Sequence, residues 1–375
     1  MWASGWGPVE DAGLLDLLPR ETVADLLRLR SAPRGEAPEL ILPAPVDGSG
    51  EHGPTAGQAR GPHWRRTSTG RYVPSGRDAH VSQPAQRIAE AAGWCPDSGG
   101  VTGWASLHLA GARWFGGTAA DGASLPVPLV LGPFGKRRRT PGALPSREQL
   151  PPREITVRHG VRSTVVERAV FDQMRIAGSV REAVVALEMA LFAELTSLRR
   201  FGVYVSHRPA WTGVGGVREA HALAVEGSES PQEVRMRLVY ELDAGLPRPL
   251  VNRDVFGPAG ELLGRPDIFD PIAGLVGEYD GGHHRLAAVR SRDVSREEVF
   301  RAHGLEYFSV VEGDLPRREM VVERMRRARD RALRSQEPAR WTLRGADGLR
   351  PLTLDRRLDL RDLIARYRSG EAPTR

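Results

Sequence analysis

Residues 275–284 read LVGEYDGGHH, and residues 264–267, which read GRPD, come shortly before them. The apolar start of the first stretch is typical of a strand that enters a core, and Glu278 and Asp280 stand two residues apart in that strand. Because side chains alternate between the two faces of a strand, both carboxylates point to one face. Asp267 lies in the preceding extended piece, and a short connection can bring it alongside them. The pattern predicts three carboxylates at one edge of a sheet.

Carboxylates on adjacent strands repel one another, so this cluster indicates a bound cation. Oxygen ligands suit Mg²⁺ or Mn²⁺. A cation held by Asp267, Glu278 and Asp280 would polarise a phosphodiester and lower the pKa of an attacking water. Each signal also has an ordinary explanation, because Asp267 can serve a turn and an exposed Glu-x-Asp pair is commonly a solvated strand face. The apolar lead-in Leu275-Val276 favours a buried strand and therefore the site.

The elements around this strand predict an α/β fold. Ser230 and Pro231 open a helix that runs to Asp243, which Gly245 follows. The next predicted elements are three extended pieces, a helix and a last strand, at residues 250–256, 261–269, 275–280, 293–303 and 306–311. This order predicts an α/β sandwich with a central mixed sheet.

In its motifs and their order, the stretch 228–315 resembles the Vsr-like domain of the PD-(D/E)XK nuclease superfamily. The pieces that carry the resemblance are Glu233 with Arg237, residues 245–247, residues 264–267, residues 278–284, and Asp293 with Arg296. The resemblance implies a restriction-endonuclease-like fold and metal-dependent hydrolysis of DNA. It also implies that Glu233 supports the site from the first helix.

The superfamily pattern places a lysine two residues after the glutamate, and this chain has Asp280 there. Its one lysine, Lys136, lies far away in the sequence. Vsr-like domains use histidine chemistry near this point, so His283 or His284 is the expected base, and Arg296 is expected to stabilise the phosphate. The alternatives are that Glu233 closes a capping box with Ser230, that the histidines cap the next segment, and that Arg296 belongs to a surface ion pair.

The upstream region, residues 62–225, resembles AbiEi-type antitoxin regulators. The resembling pieces are residues 64–66 with 72–74, residues 104–112, and residues 159–162 with 164–172. We expect a mixed α+β region with a winged-helix-like remnant, because two short extended runs flank a Ser-Thr-Gly turn. A proline-rich stretch stands where the family has a complete helix-turn-helix. The resemblance implies DNA binding and a toxin-type partner protein.

Six basic residues are candidates for nucleic-acid contact: Arg65, Arg66, Lys136, Arg137, Arg138 and Arg139. The formal charge of +6 and the sequence pI near 10.0 are compatible with phosphate contacts. The alternative for the last four is a solvated loop.

Composition divides the chain into four parts. Residues 1–61 are expected to hold an N-terminal helix and a Pro/Gly-rich linker, and residues 62–225 the AbiEi-like region. Residues 226–335 form the predicted nuclease-fold domain, and residues 336–375 a polar tail with an amphipathic helix near 358–367.

The single cysteine, Cys95, excludes an internal disulfide framework and a multi-cysteine zinc site. There is no apolar run of about 18 residues and no leader-like N-terminus, so we expect a cytoplasmic protein without a membrane partner. Two functions fit the sequence: a metal-dependent DNA endonuclease or nickase, and a non-catalytic DNA-binding regulator of antitoxin type with a degenerate nuclease fold. A homodimer is compatible with both.

Overall fold

The computed structural model describes residues 40–76, 83–119, 121–136, 138–281, 296–335, 337–345 and 352–369. The predicted N-terminal helix lies outside the described residues, and so do Arg137, His283, His284 and Asp293. The described chain forms two compact units, one of residues 40–196 and 200–224, the other of residues 197–199 and 225–369. Both units combine helices with mixed sheets, which confirms the predicted α/β class.

The first unit begins with a small antiparallel sheet. Its strands are β1 (Ala44–Pro45), β2 (Trp64–Ser68) and β3 (Arg71–Pro74), in the order β1-β3-β2, with a short 3-10 helix at Gln58–Arg60. The hairpin of β2 and β3 was predicted from the Ser-Thr-Gly turn. The expected linker instead supplies β1, in which Ala44 pairs with Tyr72. An edge strand tolerates proline because one side of it needs no ladder hydrogen bonds.

A five-stranded sheet and six helices complete the described part of this unit. The sheet has the order β6-β5-β4-β8-β7, and its parallel pairs are β5 with β6 and β4 with β8. Its strands are β4 (Gly100–Val101), β5 (Val127–Val130), β6 (Ala143–Ser146), β7 (Ile155–Arg158) and β8 (Val161–Thr164). The helices are α1 (Pro84–Ala92), α2 (Gly103–Leu109), α3 (Val166–Ile176), α4 (Val180–Phe192), α5 (Leu198–Ser206) and α6 (Val214–Leu223).

A buried arginine organises the core of the first unit. Arg168 on α3 is 0% exposed, and its guanidinium pairs with Glu154 at 2.9 Å, Asp172 at 2.9 Å and Glu148 at 3.1 Å. Thr102 donates a hydrogen bond of 2.6 Å to Asp172. A charge out of water needs such a full set of partners. Part of the motif behind the AbiEi resemblance therefore has a structural role here.

The second unit has a four-stranded sheet in the order β14-β13-β12-β9. Its helix α7 (Pro231–Leu238) continues as a π-helix over Val239–Asp243. The sheet strands are β9 (Leu250–Val251), β12 (Ile268–Asp270), β13 (Leu275–Asp280) and β14 (Glu306–Val311), and a separate hairpin joins β10 (Val255–Phe256) to β11 (Leu262–Gly264). Residues 296–302 are helical and are called α8.

Two of the predicted strands are each divided into two. Residues 250–256 hold β9 and β10, and residues 261–269 hold β11 and the start of β12. Asn252 has a φ of 45°, a left-handed conformation that ends the extended backbone after β9. Pro266 has no N–H to donate to a ladder, and it stands between β11 and β12.

Apolar cores lie on both faces of the second sheet. On one face Ile268, Leu275 and Phe308 pack with Tyr240 of the π-helix and Met325 of α9 (Arg318–Arg334). The other face carries a core of Val255, Leu263, Phe269, Val276, Phe300 and Leu305. The sheet therefore lies between helical layers, as an α/β sandwich requires.

Part of the expected polar tail belongs to the fold. Trp341 packs edge-on against Phe269 with ring centroids 5.0 Å apart, and Thr342 exchanges backbone hydrogen bonds with Phe256. The tail helix, α10, spans Leu354–Ser369 and buries Leu354 and Leu358. None of the helices in the described ranges is long and apolar enough to cross a bilayer.

Candidate functional site

Asp267 directly precedes β12, and Glu278 lies on the neighbouring antiparallel strand β13. The register pairs Ile268, the first residue of β12, with Gly277, and extending it by one residue beyond the strand brings Asp267 next to Glu278. Side chains opposite each other share a face. Val276, two residues before Glu278, packs with Phe300 of α8, so both carboxylates stand on the α8 face of the sheet.

Glu278 is held by two polar neighbours. The Tyr307 hydroxyl donates a hydrogen bond of 3.1 Å to Oε2, and the Arg296 guanidinium lies 2.9 Å from Oε1. Burial and the adjacent Glu278 raise the pKa of Tyr307, so this hydroxyl stays protonated and can donate. The side chain of Glu278 is only 13% exposed. Its carboxylate therefore has a fixed position at the end of the sheet.

Asp267 has a strongly raised pKa. Burial raises its pKa from 3.8 to about 8, and the charges of Glu233 and Glu278 add to that rise. The Tyr279 backbone N–H donates to Oδ2 at 2.7 Å, and this bond and Arg296 lower the pKa. Carboxylates crowded out of water disfavour the ionised form, and perturbed groups of this kind concentrate at functional sites.

Glu233 belongs to the N-terminal cap of α7 and lies near Asp267, although its carboxylate binds the N–H one residue before the Ser230 N–H of the predicted capping box. Its backbone N–H donates to Ser230 Oγ at 3.2 Å, and its carboxylate Oε2 accepts from the Glu229 N–H at 2.8 Å and from Asn252 Nδ2 at 2.7 Å. Asn252 also donates its own backbone N–H to the carbonyl of Asp267 at 3.1 Å. We call Glu233, Asp267 and Glu278 the carboxylate site.

Asn252 was not among the sequence candidates, although it connects Glu233 to the Asp267 strand. The only local signal was the residue type, because asparagine tolerates a left-handed backbone better than most residues. Its partners come from segments distant in sequence, which no local pattern reveals.

Asp280 ends β13 and is exposed. Its carbonyl accepts from the Glu312 N–H at 3.0 Å. Strand alternation puts its side chain on the same face as Glu278, as expected. Across the described part of the chain, no group of three His, Cys, Asp or Glu side chains is arranged to hold a metal ion. The magnesium set of Asp267, Glu278 and Asp280 stays a prediction.

The donor chemistry nevertheless fits a hard divalent cation. The carboxylate site offers oxygen ligands only, which Mg²⁺ and Mn²⁺ prefer. Burial is the largest cause of the raised pKa of Asp267, and repulsion from Glu233 and Glu278 adds to it against the opposing charge of Arg296. A cation near Asp267 and Glu278 would relieve that repulsion.

The basic candidates of the first unit differ in their surroundings. Arg65 donates two hydrogen bonds to Glu90, at 3.0 and 2.7 Å, so its guanidinium already has a carboxylate partner. Arg66 is exposed and donates to the Ser68 carbonyl at 3.1 Å. The remaining described candidates, Lys136, Arg138 and Arg139, are all exposed.

Comparisons with known proteins returned no match among protein-family models, curated proteins or solved structures.

Proposed function

We propose that the second unit is a metal-dependent DNA endonuclease or nickase of the PD-(D/E)XK type, in which the carboxylate site binds Mg²⁺ or Mn²⁺. The supporting observation is that Asp267, directly before β12, lies close enough to Glu278 of β13 and to Glu233 for both charges to raise its pKa. The order of α7, the strands, α8 and β14 supports the same proposal.

The protein groups have separable roles in this proposal. Asp267 and Glu278 hold the cation, with Asp280 as the third predicted ligand, and Glu233 supports them from α7. Arg296 is the cationic group next to the site and contacts the phosphodiester. When bound, the cation supplies polarisation of the phosphodiester. His283 or His284 is the proposed base, and both lie outside the described residues.

DNA is the proposed partner, and a reducing cytoplasm is the proposed compartment because Cys95 is the only cysteine. A homodimer and a toxin-type partner remain predictions as well.

A plasmid-nicking assay with Mg²⁺ or Mn²⁺ tests the activity. We expect cutting by the wild type, and loss of cutting in Asp267→Asn and Glu278→Gln, which keep the shape of each side chain. Asp254→Asn, which changes an exposed carboxylate of the same unit, should cut as the wild type does. Titration calorimetry with Mg²⁺ should show binding that both site variants weaken.

Two results would favour the second function, the non-catalytic DNA-binding regulator. One is the absence of cutting in every variant, and the other is salt-sensitive DNA binding that Asp267→Asn leaves unchanged. The observation that favours this function is the ion pair of Glu278 with Arg296, because it already supplies a cation to that carboxylate.

A further inference from the structure

The connection that follows β5 makes a tight turn at residues 131–135. Leu131 directly follows β5 and is 2% exposed. The Gly135 N–H donates to the Gly132 carbonyl at 3.0 Å. A Cβ on Gly135 would lie 2.4 Å from the Leu131 Cβ, and Gly132 has a φ of +77°. Two glycines and a buried anchor therefore define the position of the turn.

Phe134 stands at the tip of this turn and is 92% exposed. The next most exposed large apolar side chain in the described chain is Ile272, at 73%. Full exposure of an aromatic ring forgoes the hydrophobic gain of burial. The turn holds the ring outward on a defined backbone, as a contact residue for a partner would be held.

The segment after the ring is strongly basic. Lys136, Arg138 and Arg139 are exposed, and we call these three residues the basic run. Residues 131–146 contain no Asp or Glu. The next acid, Glu148, pairs with Arg168 at 3.1 Å in the core. No acid of this segment neutralises the run, so it is suited to an anionic partner.

We propose that residues 131–136 with Arg138 and Arg139, together called the Phe134 turn, bind single-stranded nucleic acid, with Phe134 stacked on an unpaired base and the basic run on the flanking phosphates. Aromatic rings beside cations are the general means of binding single strands, because every base has a face for stacking. This inference rests on the proposed function only in the choice of nucleic acid as partner.

A bilayer surface also attracts cations, but anchoring there takes more apolar surface than one side chain provides. In duplex DNA the faces of the bases are covered, and the ring must first unstack them. Phe134 should therefore contribute more to the binding of a single strand than to the binding of a duplex.

Fluorescence anisotropy with labelled oligothymidylate, and with its duplex with oligoadenylate, tests the proposal on the full chain in EDTA. Phe134→Ala should weaken single-strand binding about tenfold, as loss of one stacking contact does. Phe134→Trp should restore the binding, and Phe134→Leu should not. Phe134→Ala should lower the affinity for the duplex less than the affinity for the single strand.

Salt dependence separates the two parts of the turn. The triple variant of Lys136, Arg138 and Arg139 to alanine should lower the slope of log affinity against log salt by about 2, since each single-strand phosphate contact accounts for about 0.7. Phe134→Ala should leave that slope unchanged. Val157→Ala and Arg153→Ala change exposed residues of the same unit and serve as matched controls.

Equal affinities for Phe134→Ala and Val157→Ala would overturn the proposal. So would binding of the wild type to phosphatidylserine vesicles without binding to the oligonucleotide. Binding is measured in EDTA, which removes metal-dependent hydrolysis. Absence of nicking by the wild type, together with single-strand binding that Phe134→Ala weakens, would therefore contradict the nuclease proposal alone. Nicking by the wild type, together with single-strand binding that Phe134→Ala leaves unchanged, would contradict the proposal for the Phe134 turn alone.

Discussion

Arg296 bridges Glu278 and the backbone of Arg265. Its guanidinium lies 2.9 Å from Glu278 Oε1 and donates a hydrogen bond of 3.1 Å to the Arg265 carbonyl. The same guanidinium lowers the pKa of Asp267, which burial and two neighbouring carboxylates raise. Arg296 is thus a protein cation next to a group of carboxylates.

A double-mutant cycle with Arg296→Gln and Glu278→Gln should give a coupling free energy of about 0.5–1 kcal/mol, measured by urea denaturation without metal. The coupling is small because the Arg296 side chain is 42% exposed, and solvent screens the pair. High salt should reduce it. A coupling of zero at low salt would mean that the ion pair does not form in solution.

Asp267→Asn should stabilise the protein without metal, and the gain should depend on pH. The folded pKa of about 8 exceeds the ordinary value of 3.8, so the folded state binds this proton more tightly than the unfolded state. The favourable contribution of protonated Asp267 to the free energy of unfolding is fully present below about pH 4 and is lost as the pH rises to about 8. The difference in unfolding free energy between Asp267→Asn and the wild type should therefore increase with pH across that range. Asp254→Asn, at an exposed position of the same unit, is measured alongside as the matched control.

Gly277→Ala should destabilise the second unit by about 1–3 kcal/mol, as overpacking does. A Cβ at Gly277 would lie 2.3 Å from the Phe308 ring and 3.0 Å from Ile268 Cγ1. Gly281→Ala is the matched control, since its nearest contact would be Tyr279 at 3.7 Å. Urea denaturation followed by circular dichroism compares the two. Equal stabilities would show that the sheet adjusts without strain.

Arg168→Ala should cost about 2–4 kcal/mol of unfolding free energy, because it removes a fully buried guanidinium and one of the two arginines that pair with each of Glu154 and Asp172. Those side chains are 4% and 3% exposed. Arg153→Ala, at an exposed position, should change stability by less than about 0.5 kcal/mol. A small loss for Arg168→Ala would mean that water enters the network and replaces the guanidinium.

Trp341→Ala should destabilise the second unit by about 2 kcal/mol, less than a fully buried aromatic because the indole is partly exposed. The indole covers Phe269, which is 0% exposed. Leu343→Ala, on an exposed side chain two residues later, should have little effect. Denaturation curves that coincide with the wild type would show that this segment contributes nothing to the core.

Several elements were predictable because their signals are local. The bounds of β13 and β14 agree with the predicted strands at residues 275–280 and 306–311, and Ser230 caps α7 as the capping box indicated. The helix α9 was not among the predicted elements. Its buried Val321, Met325, Ala328 and Ala332 are spaced three and four residues apart, but arginines surround them and hide the stripe.

The sequence by itself determined the α/β class, the alternation that puts Glu278 and Asp280 on one face, and the cap that carries Glu233. Those features depend on residues within one turn or one strand of each other. Only the tertiary structure decided that Asn252 binds Glu233, that Arg296 pairs with Glu278, and that Phe134 is exposed beside the basic run. Strand register, helix placement and exposure depend on packing between segments far apart in sequence, which periodicity does not record.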